Sequence, residues 1–290
     1  MNMANIIDLP DFMFNYTDRK KYSKIGKIFL FIKGLIVGFF YKTTNQKTFT
    51  LLMNIFFRKD GKILFNDGYY YKELDLGHLI YYPNKRIDRV IVDHQKHFHM
   101  MFETYCLDKI TFQNNDLIID CGANVGELYF SFLYKNLAIK YIAFEPDKFV
   151  FKSLKKNISI HDQQIFNIAL SDKENTETFY SDSYGANSSL VKFDSYSDKY
   201  SVKTKTIDSF NFEKIKLLKL ESEGYELEIL EGSKKTLNNI EYISVDYGPE
   251  RGINSELTIA DVTNFLYENN FKLIDGSKFR YIGLFKNSNL

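Results

Sequence analysis

Apolar positions in the first fifty residues recur at helical spacing, whereas those after position 116 fall into strand-length blocks separated by helix-length ones. In KIGKIFLFIKGLIVGFFYK, Ile25, Ile28, Phe29, Ile32, Leu35, Ile36 and Phe39 lie three and four apart, which predicts a helix over about residues 20–42. Leu30, Phe31 and Val37 make it apolar nearly all round, and Lys27 and Lys33 interrupt it. The uninterrupted run is well short of the roughly 20 residues that span a bilayer. Gly34 and Gly38 form a small-xxx-small pair that would admit another helix. Residues 62–82, KILFNDGYYYKELDLGHLIYY, place Asn-Asp-Gly turn chemistry between strand-like runs, and a helix containing HMMFETYCLDKI follows.

After Asp116 the alternation is regular. Strands are predicted at 116–120, 140–145, 164–170, 215–221 and 240–246, with helices near 125–135, 148–158, 225–237 and 257–269. FKLIDGSKFRYIGLFKN closes the chain as two strands about a turn at Asp275-Gly276. This order predicts an α/β fold with a mostly parallel, doubly wound sheet and a C-terminal antiparallel hairpin. The polar residues 176–206 read as an insertion at the sheet's edge with two strands, TETFY and YSVKTKTID. The chain thus divides into a helical and β-rich accessory region, 1–99, and an α/β domain, 100–290.

Composition adds boundaries. In 290 residues, 44% are hydrophobic and 26% charged, enough for a substantial core and too apolar for disorder. Cys106 and Cys121 make no disulfide framework, which points to a reducing cytoplasm, and no secretion signal is recognisable at the start. The net charge of +1 hides an asymmetry: Arg19 to Lys59 contains ten Lys or Arg and no Asp or Glu. Two readings of the basic helix stand level. It packs on the body or on a partner subunit of a homo-oligomer, or it lies at a membrane interface with its lysines on anionic lipid. Nucleic acid is not the expected partner, because the basic run joins an apolar helix and not a stacking groove.

The chemistry centres on DLIIDCGANVGELYF. Leu117, Ile118 and Ile119 form a strand buried on both faces, and two glycines then let the chain turn tightly and leave open space for a ligand. The spacing departs from the dinucleotide fingerprint G-x-G-x-x-G, because Asp120 precedes the turn and only Gly122 and Gly126 follow. That acid suits a ligand bearing an ammonium and a sulfonium better than a pyrophosphate. Gly122 would let the backbone approach its amino-acid part, and Asn124 with the helix N-terminus would serve its carboxylate. Glu145, in AFEPD, lies where a carboxylate accepts both hydroxyls of an adenosine ribose. Asn167 and Ala169, in NIALSD, would flank the adenine.

DCGANVGE, AFEPD, IALSD, VKTKTIDSF and LKLESEGYELEILEG, in that order over roughly residues 100–275, resemble the FkbM-type methyltransferases. The resemblance implies a Rossmann-like class I methyltransferase fold, S-adenosylmethionine as donor, and a sugar or glycoside hydroxyl as acceptor. It assigns Asp120, Gly122 and Gly126 to the donor loop and Glu145 to the ribose. The family's fourth strand reads Lys-x-Asp-x-Glu-Gly. Here Lys219-Leu220-Glu221-Ser222-Glu223-Gly224 puts Glu where the family has Asp.

A sugar hydroxyl, with a pKa of roughly 15, needs a base or a metal to take or weaken its proton. The ends of the fourth and fifth strands supply Lys219, Glu221, Glu223 and Asp246. Glu221 or Asp246 is the expected base, with Glu223 and Lys219 orienting the acceptor. Two neighbouring carboxylates could also hold a divalent cation. Alternatively Glu223 caps the next helix and pairs with Lys219. Glu250 and Arg251 would reach the acceptor or form a plain salt-bridged turn. His94, His97 and His99 match no zinc spacing and read as a solvated basic surface. The sequons at Asn157 and Asn187 carry little weight without a secretion signal. The expected activity is O-methylation of a sugar hydroxyl on a surface glycan or its lipid-linked precursor, in the cytoplasm or at the inner face of the cell membrane. The rivals are a methyltransferase of a small metabolite or lipid, and a non-catalytic S-adenosylmethionine-binding scaffold.

Overall fold

The computed structural model describes residues 23–182, 188–194, 196–278 and 280–290. The chain forms two compact units, one ending at His97 and the other running Phe98–Leu290.

In the first unit, helix α1 (Lys24–Thr43) begins at Ser23, whose hydroxyl accepts from the Gly26 N–H. The sequence pattern does not mark a second helix, α2 (Gln46–Phe56), which starts only two residues later. Asn45 caps it by accepting from the Thr48 N–H, so a Thr-Asn break is all that separates the two apolar runs. Strands β1 (Ile63–Asn66), β2 (Tyr69–Glu73) and β3 (Leu79–Tyr82) make an antiparallel sheet, with Asp67 and Gly68 both at positive φ in the first hairpin. Asn54 of α2 holds β1 by donating to the Ile63 carbonyl and accepting from its N–H, at 2.7 and 3.0 Å.

Helix α3 (His94–Thr104) follows, and its histidines correct the solvated reading. His94 and His97 are buried, and only His99 is exposed. His94 Nδ1 lies 2.5 Å from Asp60 Oδ2, which also accepts from the His94 backbone N–H at 2.8 Å. The other Asp60 oxygen pairs with Lys72, which is fully buried and also donates to the Val90 carbonyl. Burial pushes the Lys72 pKa down. Burial also acts to raise Asp60, but hydrogen bonds from His94 and Lys72 outweigh it and hold the carboxyl at about 2.

The second unit is built on a seven-stranded sheet, with a separate two-stranded ribbon of β12 (Pro249–Arg251) and β13 (Glu256–Leu257). Its parallel strands are β4 (Leu117–Cys121), β5 (Lys140–Phe144), β6 (Gln164–Phe166), β10 (Ile215–Leu220) and β11 (Ile240–Asp246). The crossovers carry α4 (Glu127–Tyr134), α5 (Lys148–Ile158), α6 (Glu226–Glu231) and α7 (Ile259–Glu268). The hairpin β14 (Phe271–Gly276) and β15 (Ile282–Asn287) adds antiparallel pairing beside β11. Alternate residues serve opposite faces. Ile118, Leu217 and Tyr242 pack with Leu128 and Phe132 of α4, while Ile119, Leu218 and Ile243 pack with Ile229 of α6 and Leu266 of α7. The seven strands lie in the order β14-β15-β11-β10-β4-β5-β6. The chain winds outward from β4 through β5 and β6, then returns to β10 on the other side, so the order reverses between β4 and β10. Open α/β sheets bind ligands at such a reversal.

Three expected elements differ. The strand expected at 164–170 breaks at Asn167, because β7 (Ala169–Leu170) leaves the main sheet to pair with β9 (Asp198–Lys205). With β8 (Asn175–Ser181) these form a separate sheet ordered β7-β9-β8, made from the predicted insertion strands. The helix expected at 225–237 stops at Glu231. Gly232 passes so close to the segment after Leu170 that an added Cβ would stand 2.0 Å from the Ser171 carbonyl oxygen. The hairpin turn is not at Asp275-Gly276; both pair with β15, and the Ser277 N–H closes the turn on Ile282 O. Among the sequons, Asn157 is buried and donates to the Val125 carbonyl, so it faces no solvent. Asn187 lies outside the described residues.

Candidate active site

β4 ends in Asp120 and Cys121, and the loop 122–126 leads into α4. Gly122 and Gly126 adopt φ of 70° and 89°, backbone that glycine enters without steric cost. Their missing side chains leave no cavity, contrary to the expectation from spacing. A Cβ at Gly122 would lie 1.8 Å from the Glu221 carbonyl oxygen, and one at Gly126 2.9 Å from Ile158 Cδ1. The glycines let β10 and α5 close on the loop, and the loop in turn is bent into place.

Lys219 stands opposite Asp120 in the β10–β4 register, so the two side chains leave the sheet on one face. The lysine is 2% exposed. Its Nζ lies 3.0 Å from Asp120 Oδ1 and 3.2 Å from Glu221 Oε2, and donates to the carbonyls of Cys121 and Gly122 at 3.1 and 2.9 Å. Burial works against its charge, but Asp120, Tyr105 and Glu221 outweigh burial and raise its pKa well above the usual value. The Tyr141 hydroxyl donates to the other Asp120 oxygen. Lys219 therefore braces the glycine loop from beneath.

Glu145 follows β5 and is buried. Its Oε2 accepts from the Asn124 N–H at 2.9 Å and its Oε1 from the Asp147 N–H at 2.8 Å. Burial and the Asp147 charge push it up to about 8. Each carboxylate oxygen keeps a lone pair beyond those bonds, which is what a ribose diol asks of it. Asn124 enters the left-handed region, with φ 50°, to present its N–H. Asn167 spends its amide N–H groups on the carbonyls of Glu145 and Pro146, 2.8 and 3.1 Å away, and Ala169 is buried in β7. Asp147 caps α5 through the N–H groups of Phe149 and Val150.

Beyond the ends of β10 and β11 lies a charge cluster that the sequence shows only in part. Arg280, from the turn of the last hairpin, inserts between Glu221 and Asp246. Its guanidinium lies 2.5 Å from Glu221 Oε1, 2.6 Å from Asp246 Oδ2 and 3.4 Å from Glu250 Oε1. The Tyr105 hydroxyl donates to Glu221. Burial opposes ionisation of Glu221, yet Arg280 and Lys219 hold its pKa well below the carboxylate range. Burial instead raises Asp246, against the pull of Arg280. Burial and Asp246 raise Glu250 to about 8. Glu223, in left-handed backbone at φ 54°, is raised by burial and by Glu250 and Glu221.

Where two neighbouring carboxylates could have held a divalent cation, this arginine already pairs with Glu221 and Asp246. Among the described residues no group of three or more His, Cys, Asp or Glu side chains is arranged to hold a metal ion. Glu223 does not cap the following helix. Glu226, the first residue of that helix, instead ties the preceding turn, its Oε1 accepting from the Ser222 N–H, the Ser222 hydroxyl and the Gly224 N–H. Arg251 forms the plain salt bridge, meeting both oxygens of Glu228 at 2.6 and 3.0 Å. Sequence reasoning missed Arg280, Tyr105 and Glu226. Arg280 had one signal, being an arginine in a chain that otherwise prefers lysine, and arginine is favoured where two carboxylates must be met at once.

A family model described as the methyltransferase FkbM domain matches residues 120–273, more than half of the chain and all of the site except Tyr105 and Arg280. The chain belongs to the FkbM methyltransferase family. Residues 120–273 are accordingly a methyltransferase domain. Solved structures similar to this FkbM protein include methyltransferase FkbM from Methylobacillus flagellatus, with 12% identity and a TM-score of 0.46 over 66% of this chain and 50% of that one. The chain thus spans about half the length of that relative. Others are an S-adenosylmethionine-dependent methyltransferase from Aquifex aeolicus (9% identity, TM-score 0.39, 66% and 97% covered) and TrmK of M. capricolum in complex with S-adenosylhomocysteine (14% identity, TM-score 0.37, 64% and 68% covered). No curated protein matches the sequence.

Proposed function

We propose that this FkbM-family methyltransferase methylates a sugar hydroxyl of a surface glycan or its lipid-linked precursor, working in the cytoplasm at the inner face of the membrane. The observation that carries this reading is the cluster of Glu221, Asp246 and Glu250 around Arg280, next to the loop braced by Lys219. An acceptor as weakly acidic as a sugar hydroxyl needs such a polar, proton-accepting floor; an already acidic or basic acceptor does not.

S-adenosylmethionine supplies a methyl carbon on a cationic sulfur, and the electrons of the breaking C–S bond leave with that sulfur as the acceptor oxygen bonds to carbon. Asp120 and the Gly122–Gly126 loop would meet its amino-acid end, Glu145 would accept from its ribose, and Asn167 and Ala169 would border its base. Asp246 takes the acceptor's proton. Its raised pKa makes it the better base, whereas Glu221, held ionised by Arg280 and Lys219, is a weak one and serves to orient. Glu223 and Glu250 accept from neighbouring acceptor hydroxyls. Lys219 orients through the loop it braces.

Transfer of label from S-adenosylmethionine to lipid-linked glycans, free sugars, small metabolites and lipids tests the reading. Asp246→Asn is expected to lower kcat by about 10²–10⁴ while donor affinity in calorimetry is unchanged. Label appearing only in a metabolite or lipid without a sugar would replace the glycan acceptor, and transfer unaffected by Asp246→Asn would remove the base.

A further inference from the structure

We infer that the N-terminal unit carries a docking face for an anionic bilayer surface, formed by α1, α2 and the groove beside β1. At 100° per residue, the exposed side chains of α1 run from Phe31 through Leu35, Phe39 and Ile32 to Phe29 over an arc of about 160°. Each of these five is between 45% and 62% exposed, whereas Gly34 and Val37 on the opposite side are buried. Lys33 falls about 40° beyond one edge of the arc, and Lys24 and Lys42 fall just inside the other, between Phe31 and Leu35.

The apolar face continues onto α2. The Phe39 ring contacts Phe40, and Phe40 contacts Phe56, with centroids 6.4 and 6.0 Å apart. Phe56 is 63% exposed, and Leu51 and Ile55 beside it are similarly open. An open groove of about 600 Å³ lies alongside, where Lys47, Arg58 and Lys62 surround Leu51, Ile55 and Leu64. Apolar floor with a basic rim is the chemistry that accepts an anionic headgroup above acyl chain.

Charge decides among occupants. Lys24, Lys33, Lys42, Lys47, Arg58 and Lys62 give this face one sign, and the sequence holds no acid from Lys24 to Lys59. A second copy docking by the same face would bring those like charges together. An apolar exposure of this extent is uncommon on a monomer that meets only water. A bilayer with anionic lipid answers both properties at once. Among the described residues no helix is long and apolar enough to cross a membrane, so α1 lies along the interface. The inference is independent of which sugar is methylated.

The test is flotation of the full chain with vesicles of phosphatidylcholine alone and of phosphatidylcholine with phosphatidylglycerol. Binding is expected only to the anionic vesicles and is expected to fall with added salt. Phe29→Asp/Phe39→Asp and, separately, Lys47→Glu/Arg58→Glu are each expected to weaken it by about tenfold or more, with S-adenosylmethionine affinity unchanged as the control for folding. Failure to float with anionic vesicles overturns the proposal, as does equal flotation with neutral ones. Lipid-free dimerisation that Phe29→Asp/Phe39→Asp abolishes would assign the face to a second copy instead.

Discussion

Partly exposed Arg280 and buried Asp246 form an ion pair, 2.6 Å from Nη2 to Oδ2, across the β11–β15 pairing. Asp246 closes β11 opposite Ile282, two residues beyond the arginine, so the antiparallel hairpin carries the only cation that touches all three carboxylates among the described residues. The pair makes the last hairpin part of the site and not merely the edge of the sheet.

Removing that cation should be costly. Arg280→Ala leaves Glu221, Asp246 and Glu250 facing one another and is expected to lower stability by about 3–5 kcal/mol in urea unfolding. Arg280→Lys should recover part of the stability but little of the transfer rate, because one ammonium cannot meet Glu221 and Asp246 together. Equal activity of the lysine variant would show that the fork geometry is irrelevant.

Lys219→Met strands Asp120 without its partner and releases the Cys121 and Gly122 carbonyls. We expect a loss of about 3–5 kcal/mol and weaker donor binding by calorimetry. Adding Asp120→Asn should restore much of the stability but not the donor affinity, so the two substitutions will be non-additive. Simple additivity would argue against the brace.

Glu226 is buried, and its Oε2 has no hydrogen-bond partner. Burial raises its pKa from 4.5 to about 7. A raised folded-state pKa contributes stability that is present in full below about 4.5 and is lost as pH rises through about 7, a change of about 3 kcal/mol. Glu226→Gln keeps the acceptor that caps the turn and lacks the titration. Chemical unfolding across that window should show wild-type stability falling relative to the variant.

Asp60 behaves in the opposite sense. Its pKa is lowered to about 2, so its contribution is present above the ordinary 3.8 and is lost as pH falls through about 2. Asp60→Asn should erase that acid-side dependence. Near neutral pH it should also cost about 3 kcal/mol by taking from buried Lys72 its ion-pair partner and leaving only the more distant Asp75 and Asp93, read as faster amide exchange in β1–β3.

Local pattern was a good guide wherever one element could be read from its own residues. Four of the five parallel strands and α5 appear within a residue or so of their expected bounds, because a strand buried on both faces must be a short apolar run and a capped helix must begin at its cap. It failed where a distant backbone intervened. Nothing near Gly232 announces that Ser171 will end α6, and nothing near Leu170 announces that β7 will join another sheet. His94 and His97 look like a polar cluster along the chain, but Asp60 and Lys72 draw the first into a buried network.

By itself the order of residues determined the α/β class, the family and the acid-led glycine turn, since these depend on periodicity and on spacings within one stretch of chain. Only the tertiary structure decided what each charged group does. Lys219 became a brace, Glu221 an anion held by Arg280 and Lys219, and Asp246 a carboxyl raised by burial, because those states follow from burial and from which opposite charge lies within about 3 Å. Register and the closing hairpin set those distances, and no local pattern encodes them.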